Sequence, residues 1–299
     1  MQKMKCENIK FRLLQSVWVL FSLIPLRIMY MVSDALFYPV YYLWGYRRQV
    51  VRKNLVESFP EKSEKEIATI EKQFYHFFID IFFEICKYAT ISKKKLAKRM
   101  RFTNIEEMNA AAQQGKSVSL YLGHYCNWEW ISSIPLHLTD KNVAGAHIYH
   151  RLTNPLADRL MLHDRERMGS ACVEMAETMR WISEHARNKI VTMTGYIADQ
   201  SPGRSNIQHY VHFLNHHVPA LIGAEKITKK YNFEAYYMDI KRIKRGYYEA
   251  TFVKMHEHPQ SLPNFELTDI YYQYMEKSIR EHPELYLWTH KRFKYAIAP

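Results

Sequence analysis

Glycine is scarce in this chain of 299 residues. There are nine, and none falls into G-x-G-x-x-G or G-x-x-x-x-G-K-[ST], which argues against a glycine-rich loop cradling a dinucleotide or a nucleoside triphosphate. Cysteine is scarce too: Cys6, Cys86, Cys126 and Cys172 stand far apart with no C-x-x-C pair. That spacing speaks against a zinc site and a disulfide framework, and for a reducing, cytoplasm-facing compartment. No G-x-S-x-G elbow marks a serine hydrolase, and no repeat, low-complexity tract or linker divides the chain.

Positive charge and aromatic surface are abundant instead. The formal net charge is +12, with 22 Tyr, 15 Phe and 6 Trp, so an acidic partner or an anionic surface is expected. Residues 1–60 hold nine Lys/Arg against three Asp/Glu, which is half of that excess. They also hold the most apolar stretch. Residues 13–31, L-L-Q-S-V-W-V-L-F-S-L-I-P-L-R-I-M-Y-M, are interrupted by Gln15, Pro25 and Arg27, where a membrane span wants about 20 predominantly apolar residues. No small-residue cleavage site follows, which favours retention over removal as a signal peptide. Residues 36–46, L-F-Y-P-V-Y-Y-L-W-G-Y, run into the basic R-R-Q-V-V-R-K. Headgroup-seeking aromatics beside cations read as an interfacial anchor on an inward-facing leaflet; the competing reading is a buried helical hairpin.

Beyond the anchor, Ile67, Ile70, Phe74, Phe77, Phe78 and Ile81 recur at helical spacing over 62–88, with Ser63 and Glu66 as a capping box. The period then changes. Short β-prone runs at 117–122, 143–148, 190–194, 235–240 and 247–253 alternate with helical patterns at 127–138, 154–167, 173–187 and 219–231, and a last helix is expected at 266–281. Such alternation predicts an α/β fold: a mostly parallel sheet flanked by helices, here with an N-terminal helical membrane anchor. The expected division is a membrane-associated helical segment, 1–60, and one continuous α/β domain, 61–299. The linker K-R-I-K-R-G predicts an antiparallel return of the last two strands.

The chemistry points to Y-L-G-H-Y-C-N-W-E-W (121–130). His124 falls just past a predicted strand, where open α/β sheets expose their sites. A helix is expected to start near Cys126 or Asn127. Five residues along one helix would turn Glu129 about 140° from His124, so the two meet only if His124 lies on the turn outside it, which Gly123 permits. Glu129 would then accept a hydrogen bond from one ring nitrogen and leave the other to take a proton from a substrate hydroxyl. Two other readings stand beside this: a polar helix entrance with no chemistry, and Cys126 as nucleophile. H-Y-V-H-F-L-N-H-H (209–217) has four histidines at metal-compatible spacing but no carboxylate or cysteine near them, so no metal is expected.

G-H-Y-C-N-W-E-W resembles the H-x-x-N-W-E signature of the bacterial lipid A late acyltransferases, within the lysophospholipid acyltransferase superfamily and its H-x4-D/E motif. Three further blocks resemble that family in order: N-L-V-E-S-F-P-E-K-S (54–63), A-D-Q-S-P (198–202) and L-W-T-H-K-R-F-K (287–294). The resemblance covers nearly the whole chain. It implies transfer of a fatty acyl chain from acyl carrier protein, or acyl-CoA, to a hydroxyl of a lipid A precursor at the cytoplasmic face of the bacterial inner membrane, with no cofactor. His124 becomes the general base and Glu129 its orienting partner, with Asn127 and Trp128 shaping the site. Arg151, Arg165 or Arg167 would steady the oxyanion or bind phosphate, and Asp199 and Gln200 would line the site at a second strand end. Phe213-Leu214-Asn215 stands where relatives have F-F-G, which leaves that loop's geometry and the preferred acyl chain or acceptor open. Lysophospholipid or aminolipid acceptors remain rivals within the enzyme class. A non-catalytic membrane- or nucleic-acid-binding protein is the rival outside it, although no nucleic-acid motif accompanies the charge. The basic runs 241–245 and 291–294 are expected to meet acidic carrier protein or lipid phosphate.

Overall fold

The structure is a computed structural model that describes residues 2–297, with side chains from residue 8 onward. Two helices, α1 (Gln2–Leu23) and α2 (Leu26–Tyr38), open the chain; α2 continues as a wide turn over Pro39–Trp44. Then come α3 (Arg48–Ser58) and the long α4 (Glu64–Tyr88). Ser63 Oγ accepts from the Glu66 N–H while the Glu66 carboxylate accepts from the Ser63 N–H, so the capping box forms as the sequence suggests. After α5 (Lys93–Arg99), strands and helices alternate: β1 (Met100–Thr103), α6 (Ile105–Gln113), β2 (Val118–Leu122), β3 (Ala144–Tyr149), α7 (Pro155–Glu166), β4 (Ala171–Glu174), α8 (Thr178–Arg187) and β5 (Thr192–Ile197). A hairpin of β6 (Tyr210–Phe213) and β7 (His216–Pro219) precedes α9 (Gly223–Tyr231), β8 (Glu234–Lys244), β9 (Tyr247–Lys254) and α10 (Glu266–Glu281).

Seven strands form one sheet in the order β1-β9-β8-β2-β5-β3-β4. The five from β8 to β4 run parallel, β9 returns antiparallel to β8 as K-R-I-K-R-G suggests, and β1 runs parallel to β9. All five residues of β2 are buried, as a central strand covered on both faces requires.

Four differences from the sequence reading have physical causes. Residues 127–138 hold a short 3-10 helix over Trp130–Leu136 with Pro135 inside it, not an α-helix; the proline lacks the N–H that an α-helical bond would need. Strands β1, β4, β6 and β7 are only four residues long, too short to show a period. The loop Leu214–Asn215 turns with both φ values positive, at 50° and 63°, so asparagine stands at a left-handed position it tolerates and the two-residue hairpin loop is kept.

The last difference concerns the arginines of the basic runs, which fold inward, while Lys241, Lys244, Lys291 and Lys294 stay exposed. Arg48 and Arg52 pair with the buried Glu71. Arg242 and Arg245 pair with Asp80, and Arg245 also with Asp34 of α2. These cations tie the N-terminal helices to the domain rather than standing free. Met29, Phe37, Tyr41, Val51 and Leu55 of these helices belong to the same buried core as the sheet.

Candidate active site

Leu122 of β2 and Ile197 of β5 are register partners at the carboxyl ends of adjacent parallel strands. Two residues beyond each lie His124 and Asp199, and their side chains meet: His124 Nδ1 to Asp199 Oδ1 is 2.8 Å. The pairing follows from topology, because equal steps past a shared register keep the chains side by side, here helped by the Ala198 N–H donating to the Leu122 carbonyl. Gly123 makes the approach possible through space: a Cβ there would lie 2.7 Å from Met275 Sδ and 3.4 Å from Asp199 Cβ.

Asp199 is buried, and His124 keeps 20% of its side chain exposed. Since a carboxylate only accepts, Nδ1 carries the proton that bonds to Asp199. Nε2 faces the Gln200 amide at 3.3 Å and is the nitrogen left to accept. Burial works against a charged imidazole, but Asp199 and, more weakly, Glu129 outweigh it and raise the His124 pKa above its ordinary value, with Arg165 opposing. Burial likewise works against the Asp199 carboxylate; His124 and Arg292 outweigh it and hold its pKa low.

The expected His124–Glu129 hydrogen bond does not form. Glu129 precedes the 3-10 turn rather than standing in an α-helix, and its two oxygens take Arg165 side-on, with Nε to Oε2 at 2.8 Å and a terminal nitrogen to Oε1 at 2.5 Å. A bidentate guanidinium offers that carboxylate more than one imidazole N–H does. Arg165 holds the Glu129 pKa down against burial. Trp128 lies between the two systems, edge-on to the His124 ring with centroids 5.3 Å apart and its indole N–H on Glu129 Oε1 at 3.2 Å.

The other candidates separate. Asn127 is buried and structural in its contacts: its amide donates to Glu84 at 2.7 Å and its carbonyl accepts from the Trp130 N–H. Arg167 donates to the carbonyls of Tyr88 and Ile91, and Arg151 pairs at the surface with Glu174. Arg165 is the one of the three arginines whose charge acts on His124. Cys126 is fully buried, donates to the Ile240 carbonyl, and burial pushes its thiol pKa well up, which removes it as a nucleophile. Among the histidines of 209–217, His209 bonds Asp269 at 2.6 Å, His216 stacks on Phe293, and His212 and His217 face each other across the hairpin. A groove of about 870 Å³ lined by Tyr210, His212, His217, Asp269, Glu276 and Arg280 does not include His124.

The four sequence blocks converge on this point. Asn54 donates to the carbonyls of Trp288 and His290. Leu287 N–H donates to the His124 carbonyl and Cys126 N–H to the Leu285 carbonyl, so the C-terminal block clamps the histidine turn. Arg292 of that block reaches Ser201 beside Gln200. Sequence reasoning missed the partner of His124 and the burial of Arg292; the only signal for either was the blocks' order.

The fold and site define an open α/β sheet protein with a histidine–carboxylate pair at the carboxyl ends of adjacent parallel strands, where such sheets expose their ligand sites. Residues 7–295 match the sequence profile described as bacterial lipid A biosynthesis acyltransferase, and the chain belongs to that family. It is 27% identical over 184 residues to the lipid A biosynthesis acyltransferase of Haemophilus influenzae, an alignment covering 61% of this chain. The matched region spans 56% of that relative's length.

Proposed function

We propose that this protein is an O-acyltransferase that moves a fatty acyl chain from an acyl carrier protein thioester to a hydroxyl of a lipid A precursor. The observation supporting this reading is the 2.8 Å His124–Asp199 pair, with Nε2 left to accept a proton, in a chain of this family. His124 Nε2 takes the acceptor's hydroxyl proton while Asp199 stabilises the imidazolium. The freed oxygen forms a bond to the thioester carbonyl carbon; the carbon–sulfur bond then breaks, and the leaving thiolate takes the proton from Nε2. Arg165, already held by Glu129, faces negative charge developing near the imidazole. The H-x4-E glutamate thus acts by fixing an arginine, and Asp199 acts as the orienting carboxylate.

The reading includes attachment to a membrane surface. Among the described residues no single helix is long and apolar enough to cross a membrane, but Asn8–Leu23 and Leu26–Trp44 pass that test together with a 97° bend. Their outer faces leave Leu13, Val17, Leu20, Met31, Leu43 and Trp44 uncovered, Leu43 at 79% and Trp44 at 71% exposure. Apolar surface of that extent favours an interfacial seat.

The test is incubation of purified protein with labelled acyl-carrier protein and a tetra- or penta-acylated lipid A precursor, read by mass spectrometry. One added acyl chain on the precursor supports the assignment. Acylation of a lysophospholipid or aminolipid alone replaces the acceptor, and full activity of His124→Ala dismisses the mechanism.

A further inference from the structure

Arg292 is 2% exposed, yet no carboxylate pairs with it among the described residues. Its terminal nitrogens donate to Ser201 Oγ and to the Tyr272 hydroxyl, each at 2.9 Å, and its Nε has no partner. A buried guanidinium hydrogen-bonded only to hydroxyls, with the Phe213 and Tyr272 rings each 5.6 Å away, is expensive, since taking a charge out of water costs several kcal/mol. Those hydroxyls show what it serves. Tyr272 donates in turn to the Ala198 carbonyl at 3.0 Å, and Ser201 donates to the Arg292 carbonyl at 3.0 Å. The guanidinium therefore grips the chain on both sides of the Asp199–Gln200 dipeptide, while the segment that bears it pairs with the turn of His124.

We propose that Arg292 is a positioning residue for the His124–Asp199 pair: it brackets the 198–201 turn through Tyr272 and Ser201 and supplies the buried positive charge that balances the Asp199 carboxylate. This rests on the reading of His124 and Asp199 as the reacting pair, though the balance of charge itself does not depend on the substrate. Asp199 feels that charge as one of the influences holding its pKa low. Removing a nearby cation raises the pKa of every group around it, so the sign of the effect is fixed.

The test follows the protonation of His124 without substrate, as the pH dependence of its modification by diethyl pyrocarbonate read by mass spectrometry, alongside the pH profile of kcat/KM. Arg292→Met is expected to move both midpoints up by about one pH unit. Arg292→Lys keeps the charge and Ser201→Ala keeps the arginine, so both should lower kcat and leave the midpoints in place. An unmoved midpoint in Arg292→Met, or an equal shift in Arg292→Lys, overturns the proposal. If Arg292→Met does not fold, the double variant Arg292→Met/Asp199→Asn decides: recovery of soluble, cooperatively melting protein supports charge balance, and an equally unfolded double variant overturns it. Absence of acyl transfer by the wild-type protein, with the modification midpoints behaving as stated, would instead dismiss the substrate assignment and leave Arg292's role standing.

Discussion

Replacing Asp199 by asparagine separates the two carboxylates that stand near His124. The substitution keeps the size of the side chain but turns one accepting oxygen into a donating amide. If the amide nitrogen faces Nδ1, the imidazole must carry its proton on Nε2, and the nitrogen that should receive the substrate proton has no lone pair. If the oxygen faces Nδ1 instead, the tautomer survives but the imidazolium formed in the reaction loses its negative neighbour at 2.8 Å. General-base catalysis contributes about 10²- to 10⁴-fold, and loss of tautomer control removes most of it, so kcat should fall about 10³- to 10⁴-fold. That corresponds to about 4 to 5 kcal/mol of barrier. Glu129→Gln should behave differently. It breaks the side-on pair with Arg165, whose side chain is 22% exposed against 8% for Glu129, and breaking such a buried pair costs about 3 to 5 kcal/mol of stability. Its signature is a lowered melting temperature together with a lowered rate. Acyl transfer from labelled carrier protein, measured beside thermal melts, distinguishes the two. Wild-type turnover in Asp199→Asn, beside a well-folded and inactive Glu129→Gln, would refute the assignment of Asp199 as the orienting group.

The pH profile carries a second prediction. Because the His124 pKa is raised above its ordinary 6.5, the acidic limb of kcat/KM should lie above pH 6.5, and a limb at or below that value would show that the carboxylate does not support the ring. In stability the signs differ: His124 contributes below its unfolded pKa and that contribution is lost as pH rises through the raised folded value, whereas the low pKa of Asp199 contributes above 3.8 and is lost as pH falls through the depressed one. Gly123→Ala must displace the buried Met275 thioether, at about 1 to 3 kcal/mol; a melting temperature equal to wild type would show the turn to be looser than described. Leu43→Glu or Trp44→Glu should weaken binding to lipid vesicles about tenfold or more, since each removes about 1.5 to 3 kcal/mol of apolar burial, and sedimentation with vesicles at unchanged affinity would mean that these side chains do not enter the bilayer.

Elements with a long period or a local signal were legible in the residue order. The final helix appears at Glu266–Glu281 as expected, and the Ser63 capping box starts α4. Strands of four residues were not, because β1 and β4 are held by register with neighbours rather than by any pattern of their own. The same distinction applies inside the site. His124 could be found because a strand end and a glycine mark it locally, but its partner is 75 residues away and is set by which strand lies beside β2.

Charge was legible as a count but not as a placement. A basic run shows how many cations a segment has and nothing about the carboxylates that fold against them. Arg48, Arg52, Arg242 and Arg245 are consumed by Glu71, Asp80 and Asp34, whereas Lys93, Lys94, Lys95 and Lys98 cluster as exposed cations on α5. Thr90 and Lys87, just before α5, bond Ser22 at the bend of α1 and α2. If the apolar elbow enters an anionic leaflet, these lysines meet its headgroups at about 1 kcal/mol each. Reversing all four to glutamate should then abolish the preference for anionic over neutral vesicles while the affinity for neutral vesicles stays. Equal loss on both would place the lysines in folding of the elbow, and no loss on either would turn the molecule so that α5 faces water.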